Sequence, residues 1–252
     1  KKSFLLASEL DQYNKERQLL EKDLLQEILN KAKNYSNDPV LILSGSNWHE
    51  GVIGIVAARL KDKFNKPVII ISLDGDIGKA SARSIIGFDI GAVIIAATHE
   101  NILLKGGGHK MAGGFSIKVE NIEKLKNFVF KKFRNINIDL KSERPLLLDS
   151  IISPSAINLE FYNKVALLSP FGSGNPEPKF IIEDVKTVNG KIVGEKHIKS
   201  VLIGNDGSTI KCIAFNAVEN DIGAYLLKTN KKSFNIAGKL SLNEWKGQSN
   251  VE

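Results

Sequence analysis

Hydrophobic and polar residues alternate with helical spacing through the first part of the chain. Over residues 5–33, apolar side chains recur every three or four positions in a charged segment without glycine or proline, and turn residues follow at 34–39. This spacing predicts one long amphipathic helix. The pattern establishes only an apolar stripe, so the helix either connects two domains or packs on the domain that follows.

The next hundred residues alternate between strand-like and helix-like segments. Apolar runs at 40–43 and 67–73 flank a segment of helical periodicity at 51–64, an order typical of an α/β unit. The dipeptide Asp74-Gly75 predicts a hairpin turn before a strand at 78–85, and this interpretation is favoured over a metal-binding carboxylate pair. The remaining elements of this part are a buried helix, a strand and an amphipathic helix, at 88–104, 115–119 and 121–134.

The second half has the pattern of an all-β domain. Ser153 and Pro154 predict a helix that runs to about residue 168, with serine as cap and proline in the first turn. Strand-like segments then follow, separated by turn signals at Asn189-Gly190 and Asp206-Gly207. These segments are 180–188, 197–203, 209–215 and 234–242. Short successive strands predict a small barrel or sandwich, and a five-stranded OB barrel agrees with the basic strand faces.

A polar segment without periodicity at 135–144 separates the two halves. We therefore predict a connector helix over 1–33, an α/β domain with a mixed sheet and flanking helices over 34–139, and an OB-like β-barrel domain with a leading helix over 140–252. The chain begins with lysine, and its last residues end in a strand-like segment. We accordingly expect a fragment whose barrel is truncated at the carboxyl end.

Composition narrows the class of protein. The apolar fraction of 42% and the charged fraction of 25% are those of a globular protein, and neither a membrane-spanning run nor a signal peptide is found. The single cysteine, Cys212, excludes an internal disulfide and a thiolate-rich zinc site, which favours a reducing, cytoplasmic setting. The formal net charge of +7 favours a polyanionic partner, although a basic balance is common.

Candidate chemistry concentrates in a segment with five glycines at 105–115. Glycine lets main-chain N–H groups approach a ligand closely, and Lys105, His109 and Lys110 add donors whose natural target is a phosphate. The alternative is a tight connection between two buried elements. The histidine directly after three glycines favours an anion-binding loop, because a turn does not require an imidazole.

The strand predicted at 78–85 carries a second candidate. Its period of two places Lys79, Ser81 and Arg83 on the same face. A hydroxyl group flanked by two cations is suited to binding an oxyanion. The alternative is an ordinary exposed strand face.

Trp48 and His49 fall between the first predicted strand and the following helix, at the edge where α/β sheets bind ligands. Trp48 either stacks on a base or covers the core beside the helix start, and the core interpretation is favoured. His49 and Glu50 match half of a zinc-protease motif, but Ile53 occupies the position of the second histidine, so that motif is excluded.

Basic and aromatic residues also recur along the second half: Lys196, His197, Lys199, Lys211, Phe215, Lys239, Trp245 and Lys246. Such a set is typical of a cationic groove with stacking aromatic rings. A solvated lysine surface around aromatic core residues is the alternative, and composition alone favours it.

Several motifs, taken in order, resemble the carboxy-terminal half of the RecJ single-stranded-DNA-specific exonucleases. They are Trp48-His-Glu-Gly-Val-Ile-Gly-Ile-Val-Ala-Ala-Arg59, Gly78-Lys-Ala-Ser-Ala-Arg-Ser84, Gly87-Phe-Asp89, Gly106-Gly-Gly-His-Lys-Met-Ala-Gly113 and Pro170-Phe-Gly-Ser-Gly-Asn-Pro-Glu-Pro178. The glycine–histidine motif alone is shared with other DHH-family phosphoesterases and with alanyl-tRNA synthetase. Its combination with the proline-rich loop and a following OB-like module is more specific to RecJ.

The resemblance implies an α/β domain of the DHH-associated type, preceded by a connector helix and followed by an OB domain. It implies that Ser81 and Arg83 bind the 5′ phosphate of single-stranded DNA and set a 5′-to-3′ polarity. The residues implied to hold a phosphate near the metals, or to line the same cleft, are Gly107, Gly108, His109, Trp48 and His49. Candidates for a single-strand track on the OB domain are Lys199, Lys211 and Trp245.

The resemblance also implies metal-dependent phosphodiester hydrolysis in DNA repair and recombination. In the full-length protein, two Mn²⁺ or Mg²⁺ ions would be bound by an amino-terminal DHH domain. The aspartate-rich metal motifs are not in this sequence, so this stretch is predicted to bind no metal and to be inactive alone. The alternatives are a stand-alone single-stranded nucleic-acid binding module and another DHH-family phosphodiesterase, such as an oligoribonuclease-like enzyme. The candidate protein partners are a helicase and a single-strand binding protein.

Overall fold

The computed structural model describes residues 2–35, 37–136, 145–172, 174–228, 232–245 and 247–252. The chain divides into two compact units, Lys1–Ser142 and Glu143–Glu252. The boundary that we predicted between residues 139 and 140 lies outside the described residues. Among the described residues, no helix combines the length and the apolar character needed to span a membrane.

The first unit is an α/β domain built on one five-stranded sheet. Its elements are α1 (Lys2–Ala32), β1 (Leu41–Ser46), α2 (Glu50–Phe64), β2 (Val68–Asp74), β3 (Ile77–Arg83), α3 (Ile90–His99), β4 (Lys105–His109), β5 (Ala112–Lys118) and α4 (Ile122–Arg134). The strand order is β1-β2-β3-β5-β4, in which β1 and β2 are parallel and the other neighbours are antiparallel. The mixed sheet with flanking helices confirms the predicted fold class.

Helices cover both faces of this sheet. One face packs against α1 and α2 through a buried cluster that includes Leu24, Val56 and Ile70. The opposite face packs against α3 and α4 through a second cluster that includes Phe88 and Leu125. Since burial of each such side chain contributes roughly 1.5–3 kcal/mol, the two clusters stabilise the packing of the sheet between its helices.

The glycine-rich segment is the main correction to the predicted elements of this unit. It does not form a loop: β4 and β5 make an antiparallel hairpin at the edge of the sheet, with Lys110 and Met111 between them. The helix predicted at 88–104 is also shorter than expected. Asp89 caps its beginning by accepting the N–H of Ala92, and the chain leaves the helix at Asn101, whose φ of 55° is left-handed.

The second unit consists mainly of short strands. Its elements are β6 (Ser150–Ile151), α5 (Leu159–Ala166), β7 (Phe180–Val193), β8 (His197–Ile203), β9 (Thr209–Ala214), α6 (Asp221–Leu227), β10 (Phe234–Gly238), β11 (Leu242–Trp245) and β12 (Gln248–Val251). The main sheet has the order β10-β7-β8-β9, β6 pairs with β7, and β11 pairs with β12. Together with α6, this sheet forms a half-barrel of OB-like type around Val185, Ile198 and Leu226.

Two predicted features of the second unit are wrong. Pro154–Ala156 forms only a short 3-10 turn, and α5 begins at Leu159 with Asn158 as its cap. The Asn189-Gly190 pair lies inside β7 and not at a turn. A Cβ at Gly190 would overlap the carbonyl oxygen of Leu226, so glycine is required there by the close approach of α6.

Cys212 lies partly buried in β9. Burial raises the pKa of its thiol to about 11, so the group is protonated at neutral pH. Because the thiolate is the nucleophile and the metal ligand, the raised pKa disfavours both functions at neutral pH.

Candidate nucleic-acid interface

The strand register of the first unit brings the predicted phosphate-binding residues to one face of the sheet. Two rows cross β3, β5 and β4: Ser81, Gly114 and Gly107 in one, and Arg83, Ala112 and His109 in the other. Residues directly opposite in neighbouring strands point to the same side, so the guanidinium of Arg83 and the imidazole of His109 share a face. Two strand spacings, about 10 Å, separate β3 from β4.

Helix α2 covers only part of this face. A Cβ at Gly54 of α2 would lie 3.1 Å from both the Ser81 Oγ and the Arg83 Nη2, so α2 stands directly beside these two side chains. Over β5 and β4 the face is open, because a Cβ at Gly107 would meet no described atom within 4 Å. At Gly114 it would only reach the carbonyl oxygen of Ala80, at 3.4 Å. The interface therefore consists of two parts. The exposed main chain at Gly107 and Gly114 is called the glycine floor, and the adjoining side of α2 at Gly54 is called the helix wall.

Arg83 is the principal cation of this interface. Its Nη1 donates hydrogen bonds to the Ser81 Oγ at 3.2 Å and to the Ala82 carbonyl at 2.9 Å. No carboxylate lies within ion-pair distance of Arg83 or His109 in the part of the chain that the structure describes. The positive charge of Arg83 is thus oriented by neighbouring oxygens but not compensated, which is the condition for binding an anion.

Lys79 shares the face but differs in its pairing. Its Nζ lies 2.7 Å from the Glu50 Oε1 at the beginning of α2, and this hydrogen bond raises the pKa of Lys79. The charge of Lys79 is therefore compensated within the domain. Of the two cations predicted to flank Ser81, only Arg83 keeps an unpaired charge.

His49 lies at the amino-terminal end of α2 and acts as its cap. Its Nδ1 accepts the main-chain N–H of Gly51 at 3.0 Å, and its ring is exposed. A nitrogen that accepts a hydrogen bond carries no proton, so His49 presents an Nε2–H donor to solvent. Helix amino termini favour anions, and His49 therefore adds a donor at a favourable position.

Trp48 is not part of an open cleft, and its predicted place in a substrate-binding cleft is corrected. The side chain is 4% exposed and belongs to the core cluster of α1 and α2. Its indole N–H donates to the Glu27 Oε1 at 3.2 Å. The ring is consequently unavailable for stacking on a base, as the core interpretation predicts.

The track residues predicted on the second unit are only partly brought together. The register of β8 and β9 places Lys199 and Lys211 on the same strand face. Lys199 is paired with Glu252 at 3.2 Å, whereas Lys211 is exposed. Trp245 belongs to β11, and its side chain lies outside the described residues.

Sequence reasoning missed helix α6 and the groove beside it. This groove, of about 1570 Å³, lies between β9, α6 and β10 and is lined in part by Lys211, Phe215, Tyr225, Phe234 and Ile236. Phe215 and Tyr225 are 68% and 57% exposed. The sequence did contain a signal for the start of α6, namely Asn220 followed by Asp221 and by apolar residues at helical spacing. In the structure Asn220 caps α6 by accepting the N–H of Gly223.

Among the described residues, no three His, Cys, Asp or Glu side chains are grouped so as to hold a metal ion. The donor set required for a two-metal hydrolytic centre is thus not found in these parts of the chain. The chemistry that the described interface supports is the binding of an anionic, extended ligand.

Comparison with known proteins defines the class. The DHHA1 domain family matches residues 20–135, and the RecJ OB domain family matches residues 148–252. The chain is therefore a DHHA1 domain followed by an OB domain.

The more specific relationship is to RecJ. The chain is 30% identical over 249 residues to the single-stranded-DNA-specific exonuclease RecJ of Bacillus subtilis, which covers 95% of this chain and 30% of that protein. It is 30% identical over 269 residues to RecJ of Escherichia coli, covering 98% of this chain and 44% of that protein. The crystal structure of Thermus thermophilus RecJ with Mn²⁺ matches with a TM-score of 0.72 and 27% identity, over 98% of this chain and 34% of that one.

These matches assign the chain to the RecJ family, as its DHHA1 and OB part. The chain spans between 30% and 44% of the length of these two curated relatives.

Proposed function

We propose that this chain is the substrate-binding part of a RecJ-type exonuclease that degrades single-stranded DNA from its 5′ end, in DNA repair and recombination. The relatives at 30% identity are single-stranded-DNA-specific exonucleases. The observation that carries the proposal is the uncompensated Arg83, oriented by Ser81, on the same sheet face as His109 and the open glycine floor.

In this proposal the terminal 5′ phosphate binds at Ser81 and Arg83. Nη1 of Arg83 already contacts two protein oxygens, which leaves Nε–H and Nη2–H₂ to donate to two phosphate oxygens in the fork geometry of a guanidinium. A terminal phosphate carries more negative charge than an internal phosphodiester. An unpaired guanidinium with two sets of free donors therefore favours the strand end over the interior of the strand.

The glycine floor and His109 bind the part of the DNA strand that adjoins the terminal phosphate. Because Gly107 and Gly114 have no side chains above the main chain, a sugar–phosphate backbone approaches the sheet directly. His109, in the row of Arg83, donates to a second phosphate along the strand, and Gly107 and Gly108 add main-chain contact. Anchoring one end in this way sets the 5′-to-3′ polarity of the exonuclease.

The second unit binds the strand beyond its end in this proposal. Lys211 lies at the groove whose exposed rings are Phe215 and Tyr225, and Lys199 and Trp245 are the further track residues predicted from sequence. Stacking on aromatic side chains contributes about 1–3 kcal/mol per base and tolerates any sequence. We also propose a cytoplasmic setting, because the sequence has a single cysteine. The family resemblance is the basis for proposing a helicase or a single-strand binding protein as partner.

Hydrolysis itself is assigned outside this stretch. The Thermus thermophilus RecJ structures contain Mn²⁺ or Mg²⁺, but the described residues here do not offer a fitting donor set. When bound, such ions activate water and stabilise the leaving oxygen. The role of this chain is to place the strand end.

Binding of single-stranded DNA to this chain is expected to weaken steeply with salt, because the interface acts by neutralising phosphates. Each neutralised phosphate contributes a slope of about −0.7 to the dependence of log K on log salt, so about three contacts weaken binding roughly 18-fold between 50 and 200 mM. Fluorescence anisotropy of a 3′-labelled oligonucleotide in graded NaCl measures this slope. Affinity that stays flat with salt contradicts a phosphate-binding interface.

The chain is expected to leave single-stranded DNA intact when supplied with Mn²⁺ or Mg²⁺. The measurement is gel electrophoresis of a 3′-labelled, 5′-phosphorylated oligonucleotide, with full-length Bacillus subtilis RecJ as the positive control. Shortening of the strand by this chain that is abolished by a chelator would overturn the assignment of hydrolysis to another part of the protein.

A further inference from the structure

Helix α1 is attached to α2 by a polar contact in a largely buried position. Glu21 of α1 is 4% exposed and accepts a hydrogen bond from Arg17 of the same helix at 3.0 Å. It also forms an ion pair with Arg59 of α2 at 2.5 Å. This contact lies towards the carboxyl end of α2. It fixes the two helices side by side but does not reach the candidate phosphate site.

A second polar contact of α1 is made with Trp48, which precedes α2. Glu27 accepts the indole N–H of Trp48 at 3.2 Å and the ammonium group of Lys31 at 2.8 Å. Lys31 also lies 4.8 Å from the centroid of the Trp48 ring. The hydrogen bond from Lys31 lowers the pKa of Glu27, and that from Trp48 acts in the same direction, so a carboxylate accepts the indole N–H.

Trp48 is held on its other sides as well. Its carbonyl oxygen accepts the Ser72 hydroxyl at 2.5 Å, which ties it to β2. A Cβ at Gly45 of β1 would overlap the indole ring, so the ring packs directly on the main chain of β1. Three independent contacts, to α1, β1 and β2, therefore determine where the chain enters α2.

The residues directly after Trp48 form the helix wall of the candidate interface. His49 caps α2, Glu50 pairs with Lys79, and Gly54 stands beside Ser81 and Arg83. A continuous set of contacts thus runs from Glu27 through Trp48 to the side chains proposed to bind the 5′ phosphate.

We infer that Trp48 is a positioning residue, whose hydrogen bond to Glu27 makes the geometry of the phosphate site depend on the placement of α1. The inference rests on the proposed phosphate-binding role of Ser81 and Arg83. Loss of this hydrogen bond lets the beginning of α2 shift relative to β3. Affinity for the terminal phosphate then falls, whereas the contacts with the rest of the DNA strand are unchanged.

The test compares strands with a 5′ phosphate and a 5′ hydroxyl group, both labelled at the 3′ end, by fluorescence anisotropy. Glu27→Ala is expected to reduce affinity for the phosphorylated strand about 5-fold relative to the hydroxyl strand, the effect of one hydrogen bond. Trp48→Phe keeps an aromatic ring but lacks the N–H, so it is expected to behave in the same way. Glu27→Gln keeps an acceptor oxygen and is expected to restore the wild-type ratio.

The matched control is Glu16→Ala, which removes the same charge from an exposed position of α1. It is expected to leave the ratio of the two affinities unchanged. The double variant Glu27→Ala/Trp48→Phe is expected to lose no more than either single variant, because both remove one bond. Since Glu27 is half-exposed, Glu27→Ala remains informative where Trp48→Phe fails to fold.

An unchanged ratio in Glu27→Ala, or an equal loss on both strands, overturns the inference. Arg83→Ala, measured in parallel, distinguishes a failure of the positioning role from a failure of the proposed phosphate site. If Arg83→Ala abolishes the phosphate preference and Glu27→Ala does not affect it, the positioning role is wrong and the proposed function stands. If Arg83→Ala leaves the preference intact, the phosphate site is wrong and the positioning role falls with it.

Discussion

Arg83→Ala is expected to remove most of the preference of this chain for strands that end in a 5′ phosphate. Hydrogen bonds to charged groups contribute about 1.5–3 kcal/mol, which corresponds to roughly a 10- to 150-fold loss of affinity for the phosphorylated strand. Affinity for the 5′-hydroxyl strand is expected to fall much less, since that strand lacks the group that Arg83 contacts. Competition binding with the two strands measures the ratio directly.

Arg134→Ala is the control for this experiment. It removes the same charge from the exposed end of α4, which packs on the opposite face of the sheet. We expect a small and equal effect on both strands, through net charge alone. Equal losses on both strands in Arg83→Ala would discard the terminal-phosphate role and leave only a general contribution to the positive surface.

Gly91→Ala is expected to destabilise the first unit by about 1–3 kcal/mol, the range typical of overpacked positions. A Cβ at Gly91 of α3 would lie 2.9 Å from the carbonyl carbon and oxygen of Gly108 and from the carbonyl oxygen of His109. These are main-chain atoms of β4, which cannot rotate away as a side chain would. Chemical denaturation followed by circular dichroism measures the change in unfolding free energy.

Gly107→Ala is the matched substitution on the open face of the same hairpin. Its Cβ would meet no described atom within 4 Å, so we expect unfolding free energy to change by less than about 0.5 kcal/mol. DNA binding is expected to weaken, because the added methyl group stands on the floor proposed for the strand. In the structure, α3 covers one face of the hairpin and the other face is open at Gly107. Equal destabilisation by Gly91→Ala and Gly107→Ala would contradict this difference between the two faces.

The face that carries Arg83 could be predicted from sequence because it depends on a local rule. Alternation along β3 is sufficient to place Lys79, Ser81 and Arg83 together. Which of the two cations keeps a free charge could not be predicted. That depends on Glu50, which reaches Lys79 only after α2 has packed across the sheet.

The structure of the glycine-rich segment was likewise beyond local rules. Glycine has a low strand propensity, and five of these residues in a short segment predict a loop. Pairing with β3 through β5 and close packing on α3 override that propensity. Gly190 shows the same effect in the second unit, since the Asn-Gly turn signal gives way to the approach of α6.

The most direct test of the phosphate site is a nuclear magnetic resonance titration of the isotope-labelled chain with two dinucleotides, pdTpdT and dTpdT. We expect pdTpdT to shift the Arg83 Nε–H signal and the main-chain amide signals of Gly107 and Gly114, and dTpdT to shift the Arg83 signal far less. Identical shifts with both dinucleotides, or shifts by pdTpdT confined to residues outside this sheet face, would contradict the proposed phosphate site.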